Sequence, residues 1–249
     1  MAIVSRRIFL KASGAAALTQ TAIESTWAAP PSPSPATPSG TATPPGYAFF
    51  NAPEAAFIEA AVARLIPPDE VGPSALEAGV PTYIDRQLHG AWGAGERLYR
   101  SGPWATGVPT QGYQLPFTPA ELFRTSLRGI ADDLQKARQT SFDKLNGDEQ
   151  DTYLTELQNG QHDLGGVPSK VFFETLLAMT IEGYFCDPVY GGNKDMAAWK
   201  MIGFPGAYAA YYDLVDQYGV AFTGAPRSLA EDGHGHVHEM TPMPARKGA

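Results

Sequence analysis

Apolar residues along this chain of 249 residues recur at intervals of three and four. No stretch shows the sustained apolar–polar alternation of β-branched residues that marks a half-buried strand. Phe57, Ala61 and Leu65, with Ile58, Val62 and Ile66, form one apolar face at spacing four. Asn51 with Glu54 three residues later supplies the start signal for that helix, and Pro67-Pro68 ends it. A second, shorter helix is predicted from about Pro73 to Leu88, with a weak point at Gly79-Val80-Pro81. Thr118-Pro119-Ala120-Glu121 opens a third: the Thr hydroxyl caps an amide of the first turn, the Pro suits the first helical position, and the Glu reaches back to the cap. Phe123, Leu127, Ile130 and Leu134 continue it at helical spacing. A fourth runs from about Asp148 to Leu157 and stops at Asn159-Gly160. Ser169 opens a more apolar helix, through Phe172, Phe173, Leu176, Leu177, Met179, Thr180 and Ile181 to Phe185. Glu174 and Glu182 interrupt it, and it falls short of the roughly 20 apolar residues a bilayer crossing needs. It is therefore read as the central core helix. The pattern predicts an all-α fold: one compact helical domain of five or six helices with long Gly/Pro/aromatic-rich loops.

One such loop spans residues 101–117 and holds Gly102, Pro103, Trp104, Gly107, Pro109, Gly112, Tyr113, Pro116 and Phe117. A loop of this length in a compact domain marks function or packing against another surface. The residues before the first helix are of another kind. Ser5-Arg6-Arg7-Ile8-Phe9-Leu10-Lys11 is followed by a weakly apolar stretch to Ala22, and Thr26-Trp27-Ala28 places small residues where a signal peptidase cuts. This order of regions resembles a bacterial twin-arginine export signal, with Arg6 and Arg7 as the pair. Seven prolines and six Ser/Thr follow within residues 28–46, a composition that buries no core and reads as an extended linker. The expected organisation is a signal peptide over 1–28, a linker over 29–46, a helical domain over 47–226 and a flexible tail over 227–249.

Charge excludes one class of partner. The chain carries 18 Lys and Arg against 26 Asp and Glu, a formal charge of −8. Cleavage after Ala28 removes Arg6, Arg7, Lys11 and Glu24, leaving 15 basic and 25 acidic side chains, so the mature charge is −10. That balance argues against nucleic acid, whose binders present a basic face. A single cysteine supports no intrachain disulfide, Cys-based zinc site or iron–sulfur cluster. The sequence contains no dinucleotide fingerprint, Walker loop, haem-attachment motif or His-Glu-x-x-His. Yet the twin-arginine route carries folded proteins, usually ones that hold a cofactor. A cofactor held by a partner that travels with this chain reconciles the two observations.

Residues 174–206 carry the most specific signature. A helix ends in Glu182-Gly183-Tyr184-Phe185-Cys186-Asp187-Pro188. Tyr190-Gly191-Gly192-Asn193-Lys194-Asp195 follows, then Trp199-Lys200 and Ile202-Gly203-Phe204-Pro205-Gly206. Gly191-Gly192-Asn193 reads locally as a turn, and a phosphate cradle is not expected there because no strand precedes it. The segment resembles the gluconate 2-dehydrogenase subunit 3 family. Gly79-Val80-Pro81-Thr82-Tyr83-Ile84-Asp85 and Gly112-Tyr113-Gln114-Leu115-Pro116 support the likeness upstream. The resemblance implies a small non-catalytic subunit with no cofactor of its own. Its partner would be a large FAD-dependent dehydrogenase of the glucose–methanol–choline type, acting on a sugar, sugar acid or polyol. A multihaem cytochrome c can complete such a complex. The large subunit would lack an export signal, so this chain would bind it, stabilise it and carry it through the twin-arginine translocase to the periplasm. There the complex would be held at the inner membrane, with no transmembrane segment in this mature chain.

Cys186, alone in a chain bound for an oxidising compartment, is either buried and inert or bridged to the partner. Candidate partner contacts are Trp104, Tyr113, Tyr190, Gly191, Gly192, Asn193, Trp199, Phe204 and Pro205; Phe117, Tyr211 and Tyr212 belong to the same aromatic set. Alternatively each aromatic closes this domain's own core. His234, His236 and His238 alternate near the C-terminus and define a second reading, a stand-alone periplasmic metal-binding protein, against a solvated tail. A third reading, an independent enzyme using Glu182, Asp187 and Asp195, lacks the paired environments that split carboxylate pKa values. No catalytic residue is assigned.

Overall fold

The computed structural model describes residues 46–96, 98–105, 107–208 and 214–231. Arg6, Arg7, the linker up to residue 45, Tyr211, Tyr212, His234, His236 and His238 lie outside them. Among the described residues there are six α-helices and no β-strand: α1 (Ala52–Leu65), α2 (Val80–His89), α3 (Pro119–Arg138), α4 (Gly147–Gln158), α5 (Ser169–Phe185) and α6 (Ala197–Ile202). The fold is all-α, as the spacing predicts.

Local chemistry sets the helix starts. Asn51, Thr118 and Asn146 each accept a hydrogen bond from the amide three residues on, and Glu54, Glu121 and Glu149 each reach back to the cap amide. The second helix differs from expectation. It begins at Val80, because Gly79 sits at φ +80°, a left-handed conformation no helix interior accommodates. Upstream, Ser74 and Glu77 bond each other in a single turn that goes no further.

The apolar α5 packs against α1, α2, α3, α4 and α6, so it is the central helix of this domain. Aromatic rings fill the space around it. Phe123 meets Phe172 of α5 at 5.3 Å between centroids, and Phe57 of α1 meets Phe142 at 4.7 Å.

The chain enters the domain through an anchored segment. The amides of Ala48, Phe49 and Phe50 all donate to the carboxylate of Asp85 on α2, at 2.7, 2.9 and 2.9 Å. Asp85 is only 3% exposed. Arg124 of α3 lies over the Phe49 ring, donates to the Phe49 carbonyl at 2.6 Å, and pairs with Glu54. Residues 48–50 are thereby held by side chains from α2 and α3 and, through Arg124, from α1.

Candidate functional site

The signature segment forms a corner between the end of α5 and α6. Asp187 caps a short turn by accepting from the Val189 amide at 3.0 Å. Gly191 and Asn193 adopt positive φ, which reverses the chain. The Asn193 amide group then does two things. Its nitrogen donates to the Cys186 carbonyl at 2.9 Å, satisfying the end of α5, and its oxygen accepts from the Ala198 amide at 2.9 Å, satisfying the start of α6. The Lys194 amide donates to Ala78 and ties this corner to the turn before α2.

Trp199 closes the corner from α6. Its ring nitrogen donates to the Phe185 carbonyl at 2.7 Å, and Phe204 packs edge-on against its ring. The chain then turns back. The Arg227 amide donates to Pro205, and the Ala207 amide to Arg227. Asp187 receives the returning chain through the Ser228 hydroxyl at 2.5 Å and the Leu229 amide at 2.8 Å. The chain is thus attached past residue 226, where the domain was expected to end.

Burial divides the expected partner contacts into two groups. Trp104, Tyr113, Tyr190 and Phe204 are exposed, and Gly191 and Pro205 partly so. Gly192, Asn193 and Trp199 are a correction: they lie inside, with Asn193 0% and Trp199 5% exposed. An Asn with both ends of its amide committed within the chain and a Trp bonded to a helix terminus have no surface to offer. The corner itself uses these residues, through the Asn193 and Trp199 hydrogen bonds. Tyr113 donates to the Phe117 carbonyl at 2.7 Å, and burial, helped by Glu121, pushes its hydroxyl up to about 12.

The three carboxylates occupy separate structural roles. Glu182 accepts from the Tyr83 hydroxyl at 3.2 Å, Asp187 fastens the returning chain, and Asp195 stands exposed in a left-handed turn. Among the described residues no group of three or more His, Cys, Asp or Glu side chains could hold a metal ion. Cys186 is half-buried, and its thiol donates to the Gly183 carbonyl at 3.3 Å. Burial pushes that thiol up to about 11, so at neutral pH it is protonated.

Two features escaped the sequence reading. One is the Asp85 anchor, whose only signal is a carboxylate set among the apolar positions Tyr83, Ile84 and Leu88. The other is the outer side of α5, where Ile181 is 47% and Phe185 37% exposed. Its signal is that α5 carries apolar residues all round instead of along one stripe. No described helix is long and apolar enough to cross a membrane.

A family model described as gluconate 2-dehydrogenase subunit 3 matches residues 52–206, from the first residue of α1 to the glycine that meets Arg227. No curated protein and no solved structure matches the chain.

Proposed function

The chain belongs to the gluconate 2-dehydrogenase subunit 3 family, and from that premise we propose that it is the non-catalytic small subunit of an exported FAD-dependent dehydrogenase. The observation that carries this reading is the match over residues 52–206, which covers all six helices of a domain built around packing and turns. In this reading the large subunit is of the glucose–methanol–choline type, holds the FAD and oxidises a sugar, sugar acid or polyol. Where the complex has a third subunit, a multihaem cytochrome c takes the electrons. The small subunit works by association. It stabilises the flavoprotein by binding its native state, an effect that grows with concentration over Kd. It also lends the export signal at Arg6 and Arg7, so that the two leave the cytoplasm as one folded unit and work in the periplasm at the inner membrane. The Asp85 and Arg124 anchor suits this role, because it fixes the base of the signal-bearing segment to the fold that would carry the cargo.

Expressing the large subunit with this chain, without it, and with the Arg6→Lys/Arg7→Lys variant tests the proposal. Flavin-dependent dye reduction in the periplasm is expected only with the unaltered chain. Exported, active flavoprotein in its absence would sink the escort role.

We further propose that Cys186, half-buried and directly after the exposed end of α5, forms a disulfide with the large subunit, the alternative being an inert free thiol. In the isolated chain its thiol should react slowly with a disulfide reagent at pH 8 and accelerate steeply as pH approaches 11, since only the thiolate attacks. In the purified complex that reactivity should be gone, and the two chains should migrate together on a gel until reductant is added. Separation without reductant rules the bridge out.

A further inference from the structure

The helix that fills the core also leaves one side uncovered. Val171, Thr175, Ala178, Ile181 and Phe185 recur at intervals of three and four, so they share one stripe along α5, about 21 Å long at 1.5 Å per residue. At its first half, Val171, Thr175 and Ala178, with Glu174 beside them, form one wall of an open depression of about 820 Å³, with Trp104, Val108 and Tyr113 of the 101–117 loop opposite. The stripe continues one turn on through Ile181 and Phe185, both exposed. A helix with apolar residues on more than one side is ordinarily enclosed on each of them. Here enclosure is complete only toward the other helices.

The polar residues along the stripe decide what covers it. Glu174 and Glu182 flank it, and the last turn of α5 contains no basic residue to offset the negative end of the helix dipole. Lys170 faces Glu174 at 3.8 Å only, at the opposite end. An anionic lipid surface is repelled by such a rim. A second copy of this chain laid along the same stripe would bring its own Glu174 and Glu182 toward like charges. What fits is a different protein surface with an apolar ridge and Arg or Lys beside it.

We infer that the outer side of α5, from Val171 to Phe185 together with the facing Trp104, Val108 and Tyr113, is the seat of the dehydrogenase subunit. The inference rests on the accessory-subunit reading above and gives it a location. Apolar side chains at the centre of such a seat supply the binding energy, and the acidic flanks set orientation and encounter rate.

The test is co-purification, with reductant present throughout so that no Cys186 bridge holds the chains together, of the full chain with its dehydrogenase subunit, comparing unaltered chain, Ile181→Glu, Ala178→Glu and, as a control on another face, Val71→Glu at a position 68% exposed. Each altered side chain projects into solvent, so thermal unfolding of the three variants should stay close to that of the unaltered chain. Binding should weaken at least about 100-fold for Ile181→Glu and Ala178→Glu, the loss expected of a central interface residue, and remain unchanged for Val71→Glu. Folded Ile181→Glu and Ala178→Glu variants that bind as well as the unaltered chain overturn the location while leaving the accessory role standing. An unaltered chain that fails to bind the dehydrogenase subunit overturns both. Two further results also overturn it: a dimer of the isolated chain that Ile181→Glu dissociates, or sedimentation with phosphatidylglycerol vesicles that Ile181→Glu abolishes.

Discussion

Replacing Gly192 with alanine is expected to cost at least about 3 kcal/mol of folding stability, a drop of roughly 6–12 °C in Tm for a domain of this size. A Cβ at position 192 would overlap the Gly183 carbonyl oxygen and stand 2.9 Å from the Cys186 sulfur. The obstacle is backbone, so no rotamer change relieves it. Relief requires moving the end of α5 away from the corner, and that movement strains both Asn193 bonds and the Trp199 bond to Phe185. Gly203→Ala provides the comparison. Gly203 also has a special conformation, with φ +70°, but nothing lies within 4 Å of a Cβ built there. Its substitution should cost only the left-handed penalty, about 1–2 kcal/mol. Thermal unfolding of the two variants decides the matter: equal losses would mean that close approach at Gly192 is not what fixes the corner.

The second large effect concerns the entry segment. Asp85→Ala removes the acceptor for three backbone amides at once. Hydrogen bonds to a charged group contribute about 1.5–3 kcal/mol each, and a buried donor left without a partner costs a comparable amount. The full sum is not realised, because residues 47–50 can lift away and rehydrate. The expected loss is therefore about 3 kcal/mol, the free energy of docking that segment. In the open state Tyr47, Phe49 and Phe50 become chymotrypsin sites, and cleavage there should rise by about 100-fold, following the population of the open form. Asp85→Asn keeps one acceptor oxygen and should fall between the two. Unchanged cleavage in Asp85→Ala would show that Arg124 and the apolar contact of Phe50 suffice to hold the segment.

Several helices were legible because their determinants are local. Asn51 with Glu54, and Thr118 with Glu121, need only each other and the intervening amides, and the structure shows both boxes formed. The second helix starts at Val80 and not at about Pro73, because left-handed Gly79, within the weak point at Gly79-Val80-Pro81, interrupts the helical path. The corner was legible as a motif but not as a role. Tyr190-Gly191-Gly192-Asn193 and Trp199 stand out in sequence whether they face a partner or the interior. Direction depends on where α2 and α5 cross, and no residue within the motif encodes that.

The sequence by itself determined the class of fold and the family signature, both of which follow from short-range spacing or from order along the chain. Tertiary structure decided which of those residues remain available. Packing drew Gly192, Asn193 and Trp199 inside, turned Asp85 from one carboxylate among 26 acidic residues into an anchor, and left one flank of an apolar helix open. Burial belongs to pairs of elements distant in sequence. Ile181 and Leu176 are equally apolar on the page, and only the placement of the other helices leaves one 47% exposed and the other at 0%.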